Sequence, residues 1–128
     1  MAVEHWRRNR RARVGGRDEG RRLDAAELGE SLGERATLVQ FSTAFCAPCR
    51  ATRRVLREVA GMVPGVAHVE IDAEDNLVLV RELEILKTPT VLVLDADGGI
   101  VRRAAGQPRR ADVIAALGEA VRDPCARP

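Results

Sequence analysis

Two cysteines in the spacing C-x-x-C, Cys46 and Cys49, are the residues of this chain best suited to covalent chemistry. An apolar run typical of a strand, residues 37–41, precedes them, and a pattern typical of a helix begins at about Cys46. The unpaired N–H groups and the dipole of a helix N-terminus stabilise an anion. We therefore expect the Cys46 thiol to be the nucleophile, with a pKa below the value of about 8.5 for a free cysteine.

The neighbouring residues suit the same chemistry. Pro48 falls in the predicted first helical turn, where its fixed φ is favourable and its missing N–H has no partner to lose. Cys49 is spaced to attack a mixed disulfide formed at Cys46. An isolated C-x-x-C beside alternating strands and helices predicts a redox pair, in which a Cys46–Cys49 disulfide forms and breaks.

A structural zinc site is the competing interpretation of C-x-x-C, and it needs four ligands. The remaining cysteine and histidines are Cys125, His5 and His68, and none forms a second pair. We therefore expect no metal, and no cofactor other than the redox-active disulfide. Cys125 follows the last predicted helix and is interpreted as a bystander; the alternatives are a third redox thiol and an intermolecular disulfide.

Composition and charge suggest the organisation of the chain. Of its 128 residues 45% are apolar, enough for one domain with a core. Residues 1–22 hold eight arginines and three acidic residues, a net charge of +5 against +2 for the whole chain. We predict a disordered basic tail at 1–22, a domain at 23–122 and a C-terminal tail at 123–128.

Several functions are open for the basic tail: a solvated leader, an electrostatic contact with nucleic acid or anionic lipid, or the cytoplasmic flank of a membrane anchor upstream of Met1. The first is favoured, and no specific nucleic-acid binding is expected because no recognised motif accompanies the arginines. The sequence has no run of eighteen apolar residues and no signal-peptide pattern. This favours a cytoplasmic protein, with a domain tethered to the membrane and facing the cytoplasm as the alternative.

Hydrophobic periodicity predicts the order of the elements. A short helix capped by Asp24 and ending near Gly33 comes first. The strands that follow are predicted at 36–42, 66–72, 90–94 and 100–104, and the helices at 46–62, 73–86 and 110–121. The apolar residues expected on the inner faces of these helices are, in chain order, Ala51, Val55, Val59 and Met62; Leu77, Val80 and Leu83; and Val113, Ile114, Leu117 and Val121. The last two strands form a hairpin through the turn at 95–99, so the sheet is mixed, with helices on both faces.

In this order the chain resembles the thioredoxin family over residues 23–122. The resemblance is carried by Phe45-Cys46-Ala47-Pro48-Cys49, Ile71-Asp72, Lys87-Thr88-Pro89-Thr90, the Asp97-Gly98 turn and Gly106. It implies an α/β fold, the thioredoxin-like three-layer sandwich, in which a central mixed β-sheet is flanked by helices on both faces. It also implies a cis peptide before Pro89, with the backbone of Thr88 pairing with an extended substrate. The docking groove would be bordered by Phe45, Ala47, Pro48, Thr88 and Gly106.

The sequence departs from the family pattern at the position for proton transfer. Many thioredoxins carry a buried Asp six residues before the first cysteine, with a lysine as its usual partner. Here Gln40 and His68 stand at those two positions. Because an amide does not titrate, Gln40 and His68 are candidates for a neutral, hydrogen-bonded relay; the alternative is that they are satisfied polar groups with a structural role only.

The resemblance implies a protein thiol–disulfide oxidoreductase in which Cys46 attacks a substrate disulfide and Cys49 resolves the mixed disulfide. Ala47-Pro48 is close to the Gly-Pro of reducing thioredoxins, and this favours a reductase of disulfide-containing proteins, which we expect to be a monomer. Its electron donor would be a thioredoxin reductase or a low-molecular-weight thiol. The alternatives are a non-catalytic module that docks extended peptides, and a thiol oxidase or isomerase of an extracytoplasmic compartment.

Overall fold

Four strands form the central sheet in this computed structural model, which describes residues 20–121. In chain order they are β1 (Ala36–Ser42), β2 (Val66–Asp72), β3 (Thr90–Asp95) and β4 (Ile100–Ala105). Their spatial order is β2-β1-β3-β4, with β1 parallel to β2 and antiparallel to β3, and with β3 antiparallel to β4. The predicted strands are confirmed to within one residue, and the sheet is mixed as expected.

The helices of residues 20–121 lie on both faces of this sheet, as the three-layer prediction requires. They are α1 (Ala25–Leu28), α2 (Ala47–Met62), α3 (Leu77–Glu82) and α4 (Arg110–Val121), with a 3-10 turn at Ala73–Asp75. Side chains of α2 and α4 share one core with the sheet, and those of α1 and α3 share the other. Since both faces of β1 are covered, all seven of its residues are buried, which explains why apolar side chains lie on both of its faces.

The predicted helix at 73–86 is wrong in its extent. Asn76, with φ −137° and ψ 49°, separates the 3-10 turn from α3. The Asp72 side chain accepts a hydrogen bond from the Glu74 N–H, and the Asn76 side chain donates one to the Asp72 carbonyl. Such local side-chain bonds compete with a helical start. As a result the helix is only six residues long, and Leu77, predicted on its inner face, is 52% exposed.

The buried faces of α2 and α4 also differ from the predicted ones. Met62 and Ile114 were expected inside but are 57% and 41% exposed. The buried residues are Cys49, Thr52, Leu56 and Val59 in α2, and Asp112, Val113, Ala116, Leu117 and Ala120 in α4. The inner face of α2 thus runs through Cys49, Leu56 and Val59, so it shares only Val59 with the predicted stripe and is rotated from it.

The N-terminal end of the described chain joins the sheet at the β3–β4 turn. Arg22 forms an antiparallel bridge with Gly99, and the Leu23 N–H donates to the Gly98 carbonyl at 2.9 Å. Gly98 has φ +87°, and a Cβ there would collide with the Leu23 carbonyl oxygen, so only glycine fits. The short helix that follows ends at Leu28, where Gly29 takes the left-handed conformation, and not near Gly33 as predicted.

Candidate active site

The end of β1 and the start of α2 place Cys46 at a helix N-terminus. β1 ends at Ser42, and Phe45, with φ 62°, turns the chain toward the helix. Cys46 is the N-cap of α2, and its Sγ accepts a hydrogen bond from the Cys49 N–H at 3.2 Å. A thiolate at this position would receive the same N–H group and the positive end of a 16-residue helix.

The two cysteines are bonded to each other as a disulfide, with their Cα atoms 5.2 Å apart. They differ in access: Cys46 is partly exposed, whereas Cys49 is 1% exposed. A partner disulfide in solution therefore reaches the sulfur of Cys46 and not that of Cys49. This difference favours the predicted roles of nucleophile and resolving thiol.

A proline loop before β3 lies against the disulfide. The Thr88–Pro89 peptide bond is cis, which confirms the prediction. The Thr88 carbonyl oxygen is 3.9 Å from Cys46 Sγ, and the Pro89 carbonyl accepts a bond from the Gly106 N–H at 2.7 Å. The hydroxyls of Thr43 and Thr88 lie 3.1 Å apart. The structure thus brings Thr88 to the sulfur of Cys46 and joins Gly106, another predicted groove residue, to the adjacent Pro89.

The remaining predicted groove residues lie next to the cysteines in the chain. Phe45 is completely exposed, and Ala47 and Pro48 are also exposed. Leu86, which sequence analysis did not single out, precedes the proline loop and is 82% exposed. Two large apolar side chains therefore lie in solvent on the two segments that carry the disulfide and the loop, while their use in docking a substrate stays a prediction.

Gln40 lies beneath the disulfide and is completely buried. Its amide nitrogen donates to the Cys49 carbonyl at 2.8 Å and to the Ser42 hydroxyl at 2.9 Å. Its amide oxygen is 3.4 Å from His68 Nε2. The predicted contact between Gln40 and His68 is therefore present, and Gln40 joins it to the backbone of the buried cysteine.

An ion pair adjoins this network. Arg53 of α2 donates two hydrogen bonds to the Glu70 carboxylate, at 2.6 and 2.7 Å. The Arg53 hydrogen bond lowers the pKa of Glu70, and a hydrogen bond with Ser42 lowers it further. Burial lowers the pKa of His68, and the negative charge of Glu70 offsets only part of this shift. Near neutral pH the network therefore holds a charged Glu70 and a neutral His68.

Comparison with known proteins agrees with this geometry. The family model for thioredoxin matches residues 23–119. The chain is 31% identical to a thioredoxin of Mycolicibacterium smegmatis over 97 residues, which cover 73% of this chain and 83% of that one. It is 32% identical to a thioredoxin of Staphylococcus saprophyticus over 93 residues, covering 70% and 88%. The crystal structure of chloroplastic thioredoxin z superposes with a TM-score of 0.60 at 29% identity, covering 68% of this chain and 79% of that one.

The chain belongs to the thioredoxin family. Membership, together with a cysteine pair that forms a disulfide, supports thiol–disulfide oxidoreductase activity. Among residues 20–121 there is no group of three or more side chains that could hold a metal ion. The helices in that same range include none long and apolar enough to cross a membrane. Residues 1–19 of the predicted tail, and Cys125, lie outside the described part of the chain.

Sequence reasoning missed the Arg53–Glu70 pair, because only the pairing of the strands places Glu70 at the site. Once β1 and β2 are known to pair in parallel, Gln40 stands opposite Glu70, and His68 is one step along the same face of β2. The acidic neighbour of this thioredoxin-family site therefore comes from β2, whereas β1 supplies an amide.

Replacement of His68 by glutamine should reduce the pH dependence of stability. Because the folded pKa of His68 is lowered, the unfolded chain binds its proton more tightly. The stability that the neutral His68 side chain contributes is therefore fully present above the unfolded pKa of about 6.5. It is lost as the pH falls below that value. Chemical unfolding at pH 7.5 and 5.5 should show a smaller loss for His68→Gln than for the wild type. Equal losses for His68→Gln and the wild type would contradict the prediction.

Proposed function

We propose that this thioredoxin-family chain is a reductase of protein disulfides. The observation that supports it best is the unequal access of two sulfurs at a helix N-terminus: one partly exposed, the other 1% exposed and bonded to it. In the reduced protein, the Cys46 thiolate attacks one sulfur of a substrate disulfide. A Cys46–substrate disulfide forms, and the other substrate sulfur leaves as a thiolate.

In the second step Cys49 resolves the mixed disulfide. Cys49, after losing its proton, attacks Cys46 Sγ, forms the intramolecular disulfide and releases the remaining substrate sulfur as a thiolate. Two electrons have then moved from the dithiol to the substrate. A thioredoxin reductase or a low-molecular-weight thiol restores the dithiol. The Gln40 bond to the Cys49 carbonyl holds the resolving residue in place during this step.

The direction of exchange depends on the reduction potential, which spans about −270 to −120 mV among proteins with this type of site. The Ala47-Pro48 pair between the cysteines, close to the Gly-Pro of reducing thioredoxins, supports the reducing end. Equilibration with glutathione redox buffers should give a value nearer to about −270 than to about −120 mV. A value near about −120 mV would replace the reductase with the oxidase or isomerase alternative.

Reduction of insulin by dithiothreitol tests the activity itself. The wild type should accelerate the reaction, and the variant with both Cys46→Ser and Cys49→Ser should not, because it has no thiol at the site. An unaccelerated wild type, together with tight binding of an extended peptide by the double variant, would favour a docking module instead. We further propose that the protein acts as a monomer in a reducing compartment, the cytoplasm, where its dithiol would persist.

A further inference from the structure

A second concave surface lies away from the disulfide. It is an open groove of about 420 Å³ between α1, the 3-10 turn and α3, and its lining includes none of the residues around Cys46 and Cys49. Three carboxylates, those of Glu27, Asp75 and Glu82, belong to this lining. Two consecutive apolar residues of α3, Leu77 and Val78, belong to it as well. We call this surface the acidic groove.

The apolar part of the acidic groove is unusually exposed. Leu77 and Val78 are 52% and 69% exposed, although they sit side by side at the start of α3. None of the residues that line the groove is basic, and the single charge of Arg21 at its rim, paired with Glu27 and Glu82, does not balance the three carboxylates. A segment that binds here should therefore carry both positive charge and an apolar side chain. The charge would pair with the carboxylates, and the apolar side chain would cover Leu77 and Val78.

One arginine already occupies the rim of the acidic groove. Arg21 Nη2 lies 3.2 Å from a Glu27 oxygen and 3.5 Å from a Glu82 oxygen. The described chain begins at Gly20, one residue before this contact. Residues 1–19 are therefore attached to the domain at the rim of the groove.

Residues 1–19 have the composition that the groove requires. They contain six arginines, and the only tryptophan of the chain, Trp6, directly precedes Arg7 and Arg8. The sixteen residues from Trp6 to Arg21 can span up to about 50 Å, so reach does not limit the contact. A short tether also gives an effective concentration in the millimolar range, so that weak intrinsic affinity is enough.

We propose that the acidic groove is the docking site of the chain's own basic segment, residues 4–13. Trp6 covers Leu77 and Val78, and arginines of the segment face Asp75 and Glu82. The contact is intramolecular, weak and sensitive to salt, because exposed ion pairs are screened within about 10 Å at 0.1 M salt. It is independent of the thiol chemistry at Cys46.

The fluorescence of Trp6 tests the docking, because no other tryptophan contributes. At low salt, acrylamide should quench the full chain about threefold less than a free peptide of residues 1–19, as expected if most of the segment is docked at millimolar effective concentration. Removing the three carboxylates with Glu27→Gln, Asp75→Asn and Glu82→Gln should lower the docking equilibrium about tenfold and restore the quenching of the peptide. The amide oxygen introduced by Glu27→Gln can still accept the capping bond from the Asp24 N–H, so α1 keeps its cap.

The control is a variant with the same loss of charge elsewhere: Glu30→Gln, Glu34→Gln and Asp97→Asn, three exposed residues outside the groove. It should be quenched as the wild type. Val78→Ser removes apolar surface from an exposed position and should increase quenching even if the triple variant folds poorly. Peptide-like quenching of the wild type at low salt would overturn the proposal. So would an equal effect of both triple variants, or protection that disappears on dilution, which would indicate contact between two copies.

Discussion

Cys46→Ser should abolish disulfide exchange, and Cys49→Ser should stop the reaction at the mixed disulfide. A serine hydroxyl is not ionised at neutral pH, so loss of the nucleophile should slow the protein-catalysed part of insulin reduction by about a thousandfold or more. With Cys49 replaced, Cys46 still attacks, but the sulfur that resolves the mixed disulfide is missing. Insulin chains linked covalently to Cys49→Ser should therefore accumulate, and mass spectrometry of the alkylated reaction would identify the attached cysteine.

Each serine variant serves as the control for the other. Both replace one cysteine sulfur by a hydroxyl oxygen, and the Cα atoms of the two residues are only 5.2 Å apart. They differ only in position: Cys46 is partly exposed at the helix cap and Cys49 is buried. Stable adducts on the Cys46→Ser protein, with none on Cys49→Ser, would reverse the assigned roles.

Gln40→Leu should destabilise the protein strongly, because it removes a buried donor beneath the disulfide. Gln40 is completely buried, and its amide donates to the Cys49 carbonyl and to the Ser42 hydroxyl. A leucine leaves both acceptors without that donor, and the expected loss in the free energy of unfolding is about 2 to 3 kcal/mol. Urea unfolding of the oxidised protein measures it. Resolution of a mixed disulfide at Cys46 should also slow, since the Cys49 backbone is no longer held.

Thr52→Val is the matched control for this prediction. Thr52 is also completely buried, on the inner face of α2, but its hydroxyl has no hydrogen-bond partner within residues 20–121. Valine has the same shape and removes an unsatisfied polar atom, so stability should stay unchanged or rise slightly. If Gln40→Leu cost no more than Thr52→Val, the hydrogen bonds of Gln40 would contribute nothing to the site.

The sheet and the cysteine pair could be predicted because local sequence determines them. The run at Ala36–Ser42 is apolar throughout most of its length, the turn before Ile100 has strong turn residues, and C-x-x-C needs no tertiary information. The helix boundaries at Asn76 and Gly29 could not be placed, since they depend on side-chain hydrogen bonds and on a left-handed cap that many sequences allow.

The contacts around the site could not be predicted without knowing how the strands and helices pack together. Sequence alone placed Gln40 beside His68 only through the family resemblance, and it gave no reason to join Arg53 to Glu70. That pair follows from the parallel register of β1 and β2 and from the side of α2 that faces β2. The acidic groove could not be predicted from the sequence either. Glu27 and Glu82 are 55 positions apart in the chain, and they come together only because α1 and α3 cover the same face of the sheet.

The acidity of the Cys46 thiol can be measured directly. In the reduced protein, the rate of alkylation by iodoacetamide at each cysteine, followed against pH by peptide mass spectrometry, gives the pKa of the thiol that reacts. We expect Cys46 to react first, with a pKa clearly below the free-cysteine value of about 8.5, while Cys49 stays protected by burial. A Cys46 pKa at or above about 8.5, or alkylation of Cys49 at an equal rate, would contradict the proposed chemistry.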